Sequence, residues 1–387
     1  MEKFNIHPEV QELFEEMVGL RRTIHMYPEI NFDLPITSKL VSDYLTSLNL
    51  EVHTEVGQSG VVGVINNSTG PCILLRADMD CLPIEEANNV PYKSKIPGKM
   101  HACGHDSHIA MLLTAAKVLS RHKDHLKGSV KFLFQPAEEG GHGAREMIND
   151  PKYPVLDTEP LVDQVYGIHI SNHGKLGDYL FPDKYVSCFT DFFDIVINGK
   201  GGHMSADTNN PVTIGADLIL QLQTIMSRNV SNKDRAVISV TSFNAGEANN
   251  AVPAICKLKG TVRTFEKNVR DLIFDRITAI CKGIEIEQNC KIDFKIIELY
   301  YPIENNSECN EKALKVLRKI APEATRDSVS PMIGEDFSYL TNRKPGSFFM
   351  LSTGCENSIH SPSFDIDERA MMIGASFFVE LILDLLV

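Results

Sequence analysis

Short apolar runs that alternate with longer helical patterns dominate the first half of this chain. The runs VVGVI, CILLRA, SVKFLF and QVYGIHI are nearly continuous in apolar residues, which is typical of strands covered on both faces. SHIAMLLTAAKVLSRH repeats apolar residues at helical spacing, with Asp106 or Ser107 available as its N-cap. Because alternating strands and helices connect by crossovers, this order predicts an α/β fold with a mixed, largely parallel sheet flanked by helices.

The pattern changes between residues 189 and 300. Strand, helix, two strands, helix and strand follow one another there, a β-α-β-β-α-β order that forms a compact α+β module by itself. The helix–strand–helix pattern then returns in the last part of the chain. Since 387 residues exceed what one hydrophobic core usually spans, we predict one domain from residues 1–188 and 301–387, interrupted by an inserted domain at 189–300.

Charge and composition exclude several classes of partner. A net charge of −13 argues against nucleic acid or an anionic membrane as the main partner. The apolar C-terminal stretch ASFFVELILDLLV is too short for a membrane span and carries Glu380 and Asp384. The first residues lack the order of a signal peptide, and the 9 cysteines show no CxxC pairing. These features favour a cytoplasmic protein, while the net charge says little about a small substrate.

Acidic, imidazole and thiol groups follow or flank the predicted strands. Ligands of open α/β sheets bind beyond the carboxyl ends of the strands. We therefore expect side chains from separate segments to converge at one edge of the sheet: Asp78 and Asp80, Cys103 and His105, Glu138 and Glu139, His169, and His360.

Taken singly, these residues have simpler interpretations. An extended backbone would point Cys103 and His105 the same way, as a two-ligand clamp. For this pair alone, however, a buried cysteine beside a polar capping turn is the favoured interpretation. The pair Glu138 and Glu139 could form a solvated acidic turn. His169 alone would be a hydrogen-bonded rim residue. The combination is what indicates metal binding.

The combined set mixes sulfur, nitrogen and oxygen donors, which suits zinc, manganese, cobalt or nickel. Five ligands and a water exceed one tetrahedral site, so we predict two divalent metal ions in each subunit. Glu138 would then be the general base that activates the water between them. The five predicted ligands are Cys103, His105, Glu139, His169 and His360.

Several motifs together resemble one enzyme family in order and spacing across nearly the whole chain. They are LRADMDCLPIEE, MHACGHDSH, FLFQPAEEGGHGA, GIH, GKGGHMS, GTVRTF, GEDFSY and HSPSFDIDE. The chain resembles the amidohydrolase branch of the aminoacylase/carboxypeptidase superfamily of metallopeptidases. Hippurate hydrolases, indoleacetyl-amino-acid hydrolases and N-acetyldiaminopimelate deacetylases belong to that branch.

The resemblance implies a role for each matching residue. It supports the same five metal ligands, with His105 as the expected bridge, and Glu138 as the base. It also implies that residues 189–300 form a dimerisation domain whose His203 reaches the partner's active site and stabilises the oxyanion. Arg263 and Asn250 would hold the substrate carboxylate, although a strand-surface charge remains an alternative for Arg263 and a turn residue for His203. Supporting roles are expected for Asp78 and Asp106.

The expected activity is hydrolysis of N-acyl amino acids to a carboxylic acid and a free amino acid, in a homodimer or a tetramer. Two alternatives stay open: a metallo-dipeptidase or aminopeptidase of the same superfamily, and a non-catalytic ligand-binding homologue. The acyl group and the metal cannot be read from the sequence.

Overall fold

The computed structural model describes residues 3–67, 70–205 and 209–387. The chain forms two compact units. The first contains Met1–Val186, Ile303–Ser330 and Asp336–Val387, and the second contains Ser187–Pro302 and Pro331–Glu335. The short segment Pro331–Glu335, which we predicted in the first domain, thus groups with the second unit.

The elements of the first unit surround those of the second in the sequence. Those before it are α1 Pro8–Glu12, α2 Phe14–Met26, α3 Pro35–Ser47, β1 Glu51–Val56, β2 Gly60–Ile65, β3 Cys72–Asp78, α4 His105–Arg121, a 3₁₀ turn Lys123–His125, β4 Ser129–Gln135, α5 Gly143–Ile148, β5 Val162–Ser171 and β6 Tyr179–Leu180. The second unit contains β7 Phe189–Asn198, β8 Gly202–His203, α6 Pro211–Arg228, β9 Ala236–Ala245, β10 Ala251–Val252, β11 Ile255–Thr264, α7 Lys267–Gln288 and β12 Lys291–Tyr300. The first unit resumes with α8 Ser307–Ile320, β13 Arg326–Asp327, α9 Ser338–Thr341, β14 Gly346–Ser352 and α10 Ala370–Leu386.

The first unit is built on a sheet of 8 strands in the order β1-β2-β4-β3-β5-β14-β6-β13. Its central strands β4, β3, β5 and β14 are mutually parallel. On the two sides, β2 joins β4 and β6 joins β14 in antiparallel pairs. The predicted α/β class with a mixed sheet and flanking helices is therefore confirmed.

Alternate residues of β3 pack into two different cores, which explains why the sequences of the central strands are continuous apolar runs. Ile73 and Leu75 belong to the larger core, which also contains apolar residues of α2, α4 and α10. Cys72 and Leu74 point to a smaller core on the other face. Because helices and loops cover both faces, no residue of this strand faces water.

The C-terminal helix α10 packs into the larger core and meets α8 through charged side chains at its margin. Lys315 Nζ donates to Asp384 at 2.9 Å, and Lys319 Nζ donates to Glu380 at 2.5 Å. The acidic residues that interrupt its apolar sequence thus pair at the surface. Within the described part of the chain, no helix has the length and apolar character needed to cross a membrane.

The second unit contains the predicted β-α-β-β-α-β order, with the short strands β8 and β10 added. Its main sheet has the order β12-β7-β11-β9, and all its pairs are antiparallel. Phe193, Ile195 and Ile197 of β7 face a core that includes apolar residues of α6 and α7. The opposite face carries charged residues such as Lys259 of β11, which lies opposite Asp194 of β7 in the strand register. One covered and one exposed face explain the alternation of burial along these strands.

Candidate metal centre

The segments with potential ligands meet at the carboxyl ends of the central strands. β3 ends at Asp78, and the turn with Glu138 follows β4. His169 lies in β5, His360 follows β14, and α4 begins at His105. Parallel strands present their carboxyl ends at one edge, so residues remote in sequence become neighbours there.

Among the described residues, three of the groups of potential ligand atoms contain the predicted ligands, and these three overlap. Within each group the atoms lie no more than 4.8 Å apart, and the groups are Cys103, Glu139 and His360; His105, Glu138 and Glu139; and Asp78, His105, His108 and His169. Cys103 Sγ is 3.3 Å from His169 Nε2, and His360 Nε2 is 3.5 Å from Glu139 Oε1. Glu139 and His105 each belong to two groups. The structure therefore brings the five predicted ligands together with Glu138.

Backbone carbonyls fix the tautomers of two of these histidines. His105 Nδ1 donates to the carbonyl of Asp80 at 2.8 Å, and His169 Nδ1 donates to the carbonyl of Ile170 at 2.6 Å. A carbonyl oxygen only accepts, so the Nδ1 atom of each ring carries a proton. When the ring is neutral, Nε2 keeps its lone pair and can bind a metal, as in many protein metal sites.

Two atoms at the centre of the site are buried without a hydrogen bond among the described residues. They are His105 Nε2 and Glu139 Oε1. Asp78 Oδ2 lies 3.4 Å from His105 Nε2, and His360 Nε2 lies 3.5 Å from Glu139 Oε1, but neither contact has the geometry of a hydrogen bond. Buried polar atoms normally have a partner. A cation coordinated by these lone pairs would satisfy both atoms and offset the neighbouring carboxylates, so the donor set fits divalent metal ions.

Two of the predicted ligands, His105 and Cys103, have raised pKa values, so a metal ion would have to displace a proton from each. Burial opposes the charged imidazolium, but Asp78 and Asp80 outweigh it and raise the pKa of His105 to about 10. Burial, with Glu139 and Glu138 nearby, raises the pKa of the Cys103 thiol well above its usual range. Metal ligands bind in their deprotonated forms, so a divalent cation would displace a proton from each of these groups.

Asp80, which we expected at this edge of the sheet but to which we assigned no role, orients the acidic turn. Its Oδ1 accepts the N–H of Glu138 at 3.0 Å, and its Oδ2 accepts the N–H of Glu139 at 3.1 Å. Its backbone carbonyl also holds the His105 ring. The sequence signal was its place directly after β3, beside a turn that follows the neighbouring strand β4.

Asp78 is hydrogen-bonded to His108, a histidine beside the predicted ligands His105 and His169. Its Oδ1 accepts from His108 Nδ1 at 2.5 Å, and its Oδ2 accepts from Arg76 Nη1 at 2.8 Å. His108 Nε2 in turn accepts the backbone N–H of Ile170 at 3.0 Å. Both ring nitrogens of His108 are therefore engaged by the protein, so neither has a free lone pair in this arrangement.

The start of α4 differs from two of our expectations. Its N-cap is Gly104, with φ at 85°, and neither Asp106 nor Ser107 caps the helix. The left-handed glycine also means that Cys103 and His105 are not on an extended backbone, so the argument for a clamp by alternation was wrong. Asp106 instead points to Arg21 Nε, at 2.9 Å, and to His25 Nδ1, at 2.8 Å.

The remaining predicted residues lie in the second unit. His203 of β8 is exposed and pairs with Ala251 of β10, while the carbonyl of Asn250 accepts the N–H of Met204 at 3.3 Å. His203 and Asn250 are therefore close neighbours. Arg263 lies in β11, and its Nη1 donates to Oγ1 of Thr261. Burial lowers the pKa of Arg263 somewhat. The roles of these residues stay predictions.

Curated relatives match the chain over almost its full length. It is 37% identical over 380 residues to thermostable carboxypeptidase 2 of Saccharolobus solfataricus, covering 95% of this chain and 94% of the relative. It is 35% identical over 384 residues to hippurate hydrolase of Campylobacter jejuni, covering 98% and 99%.

A solved structure and a family model agree with these relatives. A dinuclear metal-binding peptidase of the M20 family from Bacillus subtilis superposes with a TM-score of 0.85 at 29% identity, covering 97% of this chain and 99% of that protein. Residues 74–384 match the model of peptidase family M20/M25/M40. The chain therefore belongs to peptidase family M20/M25/M40.

Proposed function

We propose that this protein is a metal-dependent amidohydrolase that cleaves the amide bond of N-acyl amino acids. The products are a carboxylic acid and a free amino acid. The observation that carries the proposal is the convergence of Cys103, His105, Glu139, His169 and His360 beside the carboxylate of Glu138. The similarity to a hippurate hydrolase supports the substrate class, and the similarity to a dinuclear peptidase supports two metal ions.

Cys103, His105, Glu139, His169 and His360 would hold two divalent ions, of manganese, zinc, cobalt or nickel. When bound, such ions polarise a carbonyl and lower the pKa of water. Glu138 takes a proton from the attacking water and passes a proton to the leaving nitrogen. Its backbone is held by Asp80, which keeps the carboxylate at the rim of the ligand set.

The second unit would bind the substrate and complete the active site of a partner subunit. His203 Nδ1 lies 2.7 Å from Ser205 Oγ and 3.4 Å from the N–H of Ser205, and when both groups donate to Nδ1 the ring carries its proton on Nε2. An exposed imidazole N–H of this kind can stabilise an oxyanion. The guanidinium of Arg263, with Asn250, would bind the carboxylate of the amino acid in a bidentate contact that lysine cannot reproduce.

We further propose that the protein is a homodimer or a tetramer. In the second unit, β9 is an edge strand of its sheet, and Val237 and Phe243 on it are 40% and 39% exposed. Leu220 on α6 is 69% exposed. An unpaired strand edge beside exposed apolar side chains is the kind of surface that pairs with a second copy. The cytoplasmic location stays a prediction.

The substrate class is tested by a panel of N-acyl amino acids and unmodified dipeptides, assayed with Mn²⁺, Zn²⁺, Co²⁺ and Ni²⁺ in turn. We expect turnover of N-benzoyl, N-acetyl or N-indoleacetyl amino acids to exceed turnover of the dipeptides. Amides in which the amino-acid carboxylate is blocked should react poorly, because Arg263 and Asn250 then lack their partner. A relative is named carboxypeptidase, so peptidase activity is the rival. Faster turnover of the dipeptides than of the N-acyl amino acids would contradict the proposal and support a peptidase. Tight substrate binding without turnover would indicate a non-catalytic homologue.

A further inference from the structure

Arg21 lies outside the motifs that define the metal centre, yet it binds residues of two separate segments that carry predicted metal ligands. This residue of α2 is fully buried. Its Nε donates to Asp106 Oδ2 at 2.9 Å, its Nη2 to Asp365 Oδ1 at 2.8 Å, and its Nη1 to Glu368 Oε1 at 3.1 Å. One guanidinium thus binds three carboxylates.

These carboxylates belong to the two segments that carry three of the five predicted ligands. Asp106 directly follows His105 in the segment 100–106, and Asp365 and Glu368 follow His360 in the segment 354–368. The two segments also touch beside the ligands, because the N–H of His360 donates to the carbonyl of Ala102 at 2.7 Å. Ala102 and Phe364 also belong to the same hydrophobic core. Arg21 adds a charged link, with directional hydrogen bonds to carboxylates of both segments.

The charges around Arg21 make it difficult to replace. The side chain of Asp106 is 0% exposed, that of Glu368 14% and that of Asp365 29%, so their mutual repulsion is poorly screened. Arginine presents five N–H donors in a fixed plane, whereas lysine is a point charge on a flexible stem. Lysine could neutralise one carboxylate but could not orient all three.

Other groups reinforce this arrangement without joining both segments in the same way. His25 binds Asp106 at 2.8 Å and lies 3.4 Å from Glu86. The hydroxyl of Tyr92 donates to Asp365 at 2.8 Å, and Arg22 binds both oxygens of Glu368. Only the guanidinium of Arg21, among these described groups, contacts both the 100–106 and the 354–368 segments.

We infer that Arg21 is a positioning residue that holds these two segments in register and thereby sets the affinity of the metal centre. The inference rests on the proposed metal centre. Groups that orient metal ligands typically change metal affinity by about 10- to 100-fold when they are mutated. Arg21 acts through Cys103, His105 and His360, without contacting substrate or metal.

The test compares Mn²⁺ binding by wild-type protein and Arg21→Lys in equilibrium dialysis. We expect the variant to bind Mn²⁺ about 10- to 100-fold more weakly. The matched control is Arg270→Lys in the second unit, where the arginine binds both oxygens of Asp191 at 2.7 Å. This control loses a similar ion pair, so it should unfold at a lower temperature yet bind Mn²⁺ with unchanged affinity.

A second variant covers the case in which Arg21→Lys does not fold. Asp365 is partly exposed, and Asp365→Asn keeps the shape of its side chain while it removes one of the two charges that link Arg21 to the 354–368 segment. It should also bind Mn²⁺ about tenfold more weakly. Wild-type affinity in every variant that folds would overturn the inference. If the wild-type protein itself bound no Mn²⁺, Zn²⁺, Co²⁺ or Ni²⁺, the proposed metal centre would fail instead, which separates the two results.

Discussion

Glu138 and Glu139 are adjacent in sequence, yet we expect them to do different chemistry. Glu139 shares one group with Cys103 and His360, while both glutamates share another with His105. The carboxylate of Asp80 accepts both backbone N–H groups and so determines where each side chain starts. At the scale of residues, a turn that separates two neighbouring carboxylates allows one to bind metal and the other to move a proton.

Glu138→Gln tests this division of roles. The amide cannot accept the proton of the attacking water, so turnover should fall by roughly 10²- to 10⁴-fold. Metal content, measured by elemental analysis, should stay at the wild-type value. Glu139→Gln is the matched control, because the same substitution at a ligand should lower metal affinity as well as turnover. Near-wild-type turnover in Glu138→Gln would disprove the base assignment.

The turn before α4 shows how an element can depend on one glycine. Gly104 has φ at 85°, and a Cβ atom there would lie 2.1 Å from Cδ1 of Ile170. Both the backbone conformation and the packing therefore require glycine. Because this residue separates Cys103 from His105, its conformation sets the direction of both side chains.

Gly104→Ala should lower the free energy of unfolding by about 1–3 kcal/mol, since it combines left-handed strain with a clash. Metal affinity should fall with it. Gly283→Ala is the control: this position lies within α7 and has no atom within 4 Å of a new Cβ. Alanine there should stabilise the protein by roughly 0.5–1 kcal/mol. Denaturant unfolding measures both, and equal effects at the two positions would show that the Gly104 turn carries no strain.

Helices and strands could be predicted from the sequence where burial of one or both faces produces a periodic or continuous apolar pattern. The fully buried central strands and the β-α-β-β-α-β order were read correctly. The turn at Gly104 was not, because packing against Ile170 decides it. Asp80 was expected at this edge of the sheet, but its role was not predicted, because its bonds to the acidic turn require β3 and β4 to be neighbours. Arg21 was missed because its partner Asp106 is 85 residues away.

At the scale of the whole molecule, we expect each active site to use residues of two subunits. The expected base and metal ligands belong to the first unit, whereas His203, Asn250 and Arg263 belong to the second. If His203 serves the active site of a partner, each active site combines the first unit of one subunit with the second unit of another. Activity would then require the dimer.

Mixing two inactive variants tests this arrangement. His203→Ala and Glu138→Gln should each be nearly inactive alone. After subunit exchange, half of the dimers are hybrids with one intact site, so activity should return to roughly a quarter of the wild-type value. Hybrid formation is verified with two distinguishable affinity tags. Verified exchange without recovery of activity would show that His203 does not act in trans.

Metal content tests the central claim most directly. Protein stripped with a chelator, reconstituted with Mn²⁺ or Zn²⁺ and freed of excess metal is analysed by elemental mass spectrometry. Convergence of Cys103, His105, Glu139, His169 and His360 predicts two divalent ions per chain, and markedly fewer in Glu139→Ala. Retention of no metal by the folded wild-type protein, with either cation, would contradict the account.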